Sequence, residues 1–251
     1  MVASIHKADK FIAPGLGVLA LIVYLATLSV GAYPGAPAFY AVQSLGLMPR
    51  MTPDHPLWTG LAWLIGKGGV QALNTLSAVC AALGVSLLYD VTRRAITACF
   101  RRPEESDSAE WAARIAAIGA ALALAFCTPY WYVATRSHPM AFHVCLFLLA
   151  VHFFFRFVEN VSLRTAVIFA FIYGLGMAEY ATFIAFCPLF GIGLLFILWR
   201  REALSGGRAA VLVAALVAGL MLYLVATLAF YKTPGYEFRQ YSGFFQVLLF
   251  M

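Results

Sequence analysis

Apolar residues in this 251-residue chain fall in long unbroken runs, with no alternation of period two. A chain crossing hydrocarbon must satisfy its backbone groups within a helix or a closed barrel, and the runs select helices. Each span needs about 20 residues. The runs predict spans over 11–32, 70–91, 111–128 and 139–158. Residues 165–199 carry a single charge, Glu179. One helix of that length would be about 52 Å long against a core of about 30 Å. The segment is therefore expected to fold back, with Gly174, Gly176 and Glu179 marking the turn between spans 165–178 and 182–199. A seventh span is predicted over 209–231, and 244–251 reads as an eighth apolar segment cut short, so the natural chain is expected to continue past Met251. The expectation is an all-α, polytopic transmembrane bundle of about seven spans with a long, partly helical first outer loop, 33–69.

Composition agrees: 63% of residues are hydrophobic and 11% charged, against about 25% charged in soluble domains. Too few charges remain to cover a water-facing globule, so soluble enzyme folds are excluded. The net charge of +6 is explained by position. With the N-terminus cytoplasmic, twelve of the 17 lysines and arginines fall on the inner side and five on the outer, as the positive-inside rule requires. A nucleic-acid partner has no support. Lys7 and Lys10 ahead of a long run read as an uncleaved anchor. The five cysteines read as small apolar filler, and Asn160-Val161-Ser162 is a sequon on the wrong side for use.

The outer loop is far longer than the other connections, and long structured loops are usually functional. Residues 36–47 can lie flat as an interfacial helix. Residues 57–65 read as a second short helix, with Pro56 in its first turn and Asp54 as N-cap. Four outer elements concentrate polar chemistry: Thr52-Pro53-Asp54-His55-Pro56-Leu57-Trp58, Arg136-Ser137-His138, Glu179-Tyr180, and Tyr236-Glu237-Phe238-Arg239-Gln240-Tyr241.

Glu179 is the most informative residue. An ionisable group in an apolar stretch marks a cavity or a polar partner, here as base, metal ligand or counter-charge to Arg136 or Arg239; the alternative is a wetted turn-capping residue. Asp54 beside His55 offers a general base with a phosphate or hydroxyl contact, or simply a cap beside a loop histidine. His138 stands at the head of the fourth span. His143 and His152, nine residues apart, point to different faces, make no metal pair and are assigned to packing. Asp90 is expected to pair with Arg93 or Arg94. Gly174-Leu175-Gly176 suits helix packing or a helix break better than a nucleotide loop. Arg136 and Arg239 suit an anionic phosphate, which guanidinium binds in a bidentate way.

The ordered set resembles a known family. A first span, a long outer loop, His55-Pro56-Leu57-Trp58 leading into a short helix, then Leu73-Asn74-Thr75-Leu76-Ser77-Ala78, and later Tyr173-Gly174-Leu175-Gly176-Met177-Ala178-Glu179-Tyr180 look like the GT-C superfamily of membrane glycosyltransferases, and within it the protein O-mannosyltransferase-like family of bacteria and animals. That family usually has histidine after its Gly-Leu-Gly segment. It also carries an early loop acid, which Gly35-Ala36-Pro37-Ala38-Phe39-Tyr40 lacks, leaving Asp54 as the substitute. The resemblance implies sugar transfer from a polyprenyl-phosphate donor to a protein or glycan acceptor on the extracytoplasmic face, in the bacterial inner membrane. Asp54 and Glu179 would be catalytic, and His55, Arg136, His138, Tyr180 and Arg239 would bind substrate. No cofactor is required by the pattern, and a divalent metal is compatible with it. The alternatives are a transporter or flippase of a lipid-linked solute and a non-catalytic membrane subunit.

Overall fold

A computed structural model describes residues 2–47, 55–100 and 106–231. Asp54, Arg239 and the 236–241 segment lie outside the described residues. Every regular element described is helical: α1 Val2–Ala26, α2 Ala36–Ser44, α3 Pro56–Ile65, α4 Gly69–Phe100, α5 Ser106–Phe126, α6 Thr128–Ala134, α7 Pro139–Glu159, α8 Leu163–Glu179, α9 Ala181–Arg200 and α10 Gly206–Tyr231, with one 3-10 turn at Gly66–Gly68.

Five described stretches are long and apolar enough to cross a membrane: Pro56–Cys99, Ser108–Phe126, Pro139–Glu159, Ala181–Arg200 and Gly206–Leu228. The pattern of apolar runs predicted seven spans. The difference lies in two helices. The apolar part of α1 is Phe11–Ala26, because the chain leaves the helix where Asn74 Nδ2 donates to Ser29 O at 2.8 Å and Ser29 N–H donates to Thr135 O at 3.1 Å. Helix α8 has 17 residues, about 26 Å at 1.5 Å per residue. That is at the short end of the roughly 17–25 residues of a spanning helix.

Long α4, 32 residues, is the axis of one half of the molecule and packs against α1, α5 and α7. Its core is built from small residues (Ala78, Ala81, Ala82, Ala117, Ala121) around buried Tyr24, Tyr89 and Tyr130. The two inner hydroxyls are satisfied: Tyr24 donates to Ala125 O and Tyr130 to Ala81 O. The other half stacks α7, α8, α9 and α10 around Phe154, Phe169, Tyr173, Phe183 and Phe190.

The fold-back within 165–199 is present: the Phe169 and Phe190 rings meet at 5.8 Å, and Tyr173 donates to Phe183 O. Its hinge is Tyr180 alone, in extended backbone between α8 and α9. Gly174 and Gly176 are helical and make close packing instead. A Cβ on Gly174 would strike Leu216 O, one on Gly219 would strike Phe171 O, and one on Gly176 would strike the Phe183 ring. Small residues at these points let α8 and α10 touch backbone to backbone, as membrane helices do when packing rather than water drives association.

Helices α2 and α3 form a small cap on one end of the bundle. They pack on the start of α4 through Ala41, Trp58, Ala62 and Leu73. Pro56 opens α3, as its fixed φ suits the first turn.

Candidate active site

The residue before Pro56 in the α3 N-cap position is His55, not Asp54 as the sequence pattern predicted, and its side chain makes no capping hydrogen bond. The exposed amides of the first turn therefore need an acceptor from elsewhere. Glu179 supplies it across 122 residues of chain. Leu57 N–H donates to Oε2 at 2.7 Å and Trp58 N–H donates to Oε1 at 3.2 Å. A carboxylate at a helix N-terminus is favoured by both the free amides and the positive end of the dipole.

This pairing places Glu179 in the protein rather than in water: it is 1% exposed, so the wetted-turn alternative does not hold. Two imidazoles close around it. His143 Nε2 lies 3.2 Å from Oε1, and His143 is 2% exposed. His55 Nδ1 lies 3.3 Å from the main-chain oxygen of Glu179. The His55 and His143 rings meet edge to face at 4.5 Å, and Tyr180 stacks on His143 at 4.5 Å with 20° between planes. One donor atom from each of His55, His143 and Glu179 lies within 4.8 Å of the others.

His143 is the residue the sequence pattern assigned to packing, and it belongs to the cluster. Spacing to His152 was an uninformative test, because the partner comes from α8. The available signal was its depth: His143 lies five residues below His138, level with the end of a helix that terminates in glutamate. His152, at the other end of α7, meets Asp90 instead, with Nδ1 2.7 Å from Oδ2. His143 Nε2 faces a carboxyl that already accepts two amides, and His143 Nδ1 is buried with no hydrogen-bond partner.

His138 has a structural job. Its Nδ1 accepts from Met140 N–H at 3.1 Å as the N-cap of α7, and its own N–H donates to Ser77 Oγ at 3.2 Å. Burial, then the charges that His143 and His55 would carry, push His138 down to about 4, so it is neutral and able to accept. Its ring also meets Tyr40, which meets His55, so it supports the cluster from outside.

Arg136 is not the counter-charge of Glu179. Its guanidinium is held between the faces of Tyr33 and Tyr132, at 4.0 and 4.2 Å, and Nη1 donates to Tyr132 O at 3.2 Å. Among the described residues no contact joins it to Glu179, whose carboxyl oxygens are met by backbone amides. Asp54 and Arg239 lie outside the described residues, although Asp54 adjoins His55 in sequence.

A groove of about 520 Å3 opens beside the cluster. Pro56, Glu179 and Tyr180 are part of its lining. Ile184, Val217, Leu220 and Leu224 continue it along α9 and α10.

Fold and site together define an integral membrane protein of several helical spans, with an enclosed imidazole–carboxylate centre at one end. The family described as Protein O-mannosyl-transferase TMEM260 N-terminal domain matches residues 19–205. The chain belongs to that family, and the family is one of glycosyltransferases. Neither the curated proteins nor the solved structures give a match to this chain.

Proposed function

We propose that this chain works as a GT-C-type glycosyltransferase, moving a mannosyl group from a polyprenyl-phosphate donor to a protein hydroxyl on the extracytoplasmic face. The observation that carries the reading is that Glu179, from the His55–His143–Glu179 cluster, lines a largely apolar groove. A lipid-linked sugar likewise joins an apolar chain to a phosphosugar head.

In this reading the polyprenyl chain lies along Leu220 and Leu224, and the phosphate rests near His55 and Tyr180. Arg136, ordered between two tyrosine rings, and Arg239 are the phosphate cations. Asp54, next to His55 in the chain, takes the acceptor hydroxyl proton as that oxygen attacks the anomeric carbon. The bond to the donor phosphate breaks, the lipid phosphate leaves with the electron pair, and the configuration inverts. Glu179 positions rather than reacts: it fixes the start of α3, and hence His55, relative to α7.

The test is transfer of radiolabelled mannose from polyprenyl-phosphate mannose to a serine- or threonine-containing peptide by purified protein in detergent. Labelled peptide that disappears in Asp54→Ala, with unfolding unchanged, is expected. No label above the no-enzyme level removes the reading. Flux of labelled lipid-linked sugar across reconstituted vesicles without peptide labelling would place the chain among transporters instead.

A further inference from the structure

We propose that His55, His143 and Glu179 form a binding site for one divalent transition-metal ion of the zinc type. Two imidazole nitrogens and one carboxylate oxygen are a donor set that zinc takes, with a fourth position left open for an exchangeable ligand. The spacing suits it. Tetrahedral bonds of about 2.1 Å set neighbouring donors about 3.4 Å apart, and His143 Nε2 stands 3.2 Å from Glu179 Oε1. The third donor lies within 4.8 Å of both, so closing the set takes a shift of His55 of at most roughly 1.5 Å relative to that tetrahedron.

The surroundings have the features that outer partners give to metal ligands. Two backbone amides fix the Glu179 carboxylate, and each of its oxygens keeps a second lone pair for a metal. His55 Nδ1–H donates to Glu179 O. This is the kind of hydrogen bond to a carbonyl that orients a ligating histidine. The saturated Asp90–His152 pair at the far end of α7 shows how the same fold treats a purely structural imidazole.

Metal binding rests on this donor set alone. A role for the ion in holding the departing phosphate rests in addition on the sugar-transfer reading, and the experiment separates the two. Untagged full-length protein in detergent is stripped with EDTA, reloaded with ZnCl2, desalted and measured by ICP-MS. A parallel sample is loaded with Co2+ for its visible d–d spectrum. About one zinc per chain is expected in the wild type, falling to below about 0.2 in His143→Ala, with a 10–100-fold weaker affinity in His55→Ala. Tetrahedral Co2+ bands are expected in the wild type and are read without any variant. Zinc content equal in wild type and both variants, or a wild type without Co2+ bands, overturns the site. One zinc per chain without sugar transfer keeps the site and discards only the phosphate role. Transfer by a zinc-free protein without Co2+ bands discards the site and leaves the transferase reading standing.

Discussion

Helix α7 carries a histidine toward each end, and the two meet opposite fates. At one end His152 joins Asp90, which also pairs with Arg94 at 2.6 Å and with Arg93 at 3.7 Å, while Arg94 bridges to Glu159. Cations surround that carboxylate, and the network ties α4 to α7 as a clamp. At the other end His143 meets Glu179, whose carboxyl oxygens are met by the amides of α3 rather than by a side-chain cation. The first arrangement is electrically closed. The second keeps two imidazoles and a carboxylate facing one another with a nitrogen still unmet, beside a groove. A polar cluster in a membrane bundle is thus not in itself a reactive centre; what distinguishes one is donor capacity left over after structure has been satisfied.

That contrast can be broken by substitution. Between the two ends of α7 the larger effect is expected at His143: His143→Asn should cut sugar transfer by about 100–1,000-fold, equivalent to roughly 3–4 kcal/mol of barrier. Its unfolding in detergent should move little, because an unmet nitrogen is removed along with one hydrogen bond. Next is Glu179→Ala, which strips the α3 amides and His143 of their acceptor. A loss of about 3 kcal/mol in unfolding free energy is expected, together with faster proteolysis near residue 55. At the closed end, Asp90→Asn should cost about 1–2 kcal/mol of stability while transfer stays within about threefold of the wild type. Equal activity losses from Asp90→Asn and His143→Asn would erase the distinction between the two ends.

The smallest effect sharpens the comparison through pH. His138 is held at about 4 when folded, against an ordinary 6.5. A histidine with a depressed folded value stabilises above its unfolded value, and that contribution is lost as pH falls. The protein should therefore lose stability as pH drops from about 6.5 towards 4. His138→Asn keeps an N-cap acceptor that does not titrate and should flatten this decline in a thermal-unfolding series. An unchanged decline would assign it to other groups.

Much of this architecture was legible in the chain. Apolar run lengths located α7, α9 and α10, Pro56 located α3, and the length of 165–199 required the fold-back. Helix ends were less legible, because apolar character does not reveal that α1 stops at Ala26 or that α8 stops at Glu179. Within the site, Glu179 stood out because an ionisable group in an apolar run must be accounted for, and His55 stood out beside a helix start. His143 did not, since its partners lie 36 and 88 positions away. Pairings across such distances are fixed by how α3, α7 and α8 pack, and no local spacing encodes them. Arg136 shows the converse: charge alone suggested an ionic partner, whereas two tyrosine faces hold it.

The most direct test of the reactive end is mannosyl transfer from labelled polyprenyl-phosphate mannose, measured side by side for wild type, His143→Asn and Asp90→Asn at matched folded fraction. Transfer by the wild type and Asp90→Asn, with loss of at least about 100-fold in His143→Asn, is the predicted result. Undiminished transfer by His143→Asn would contradict the account.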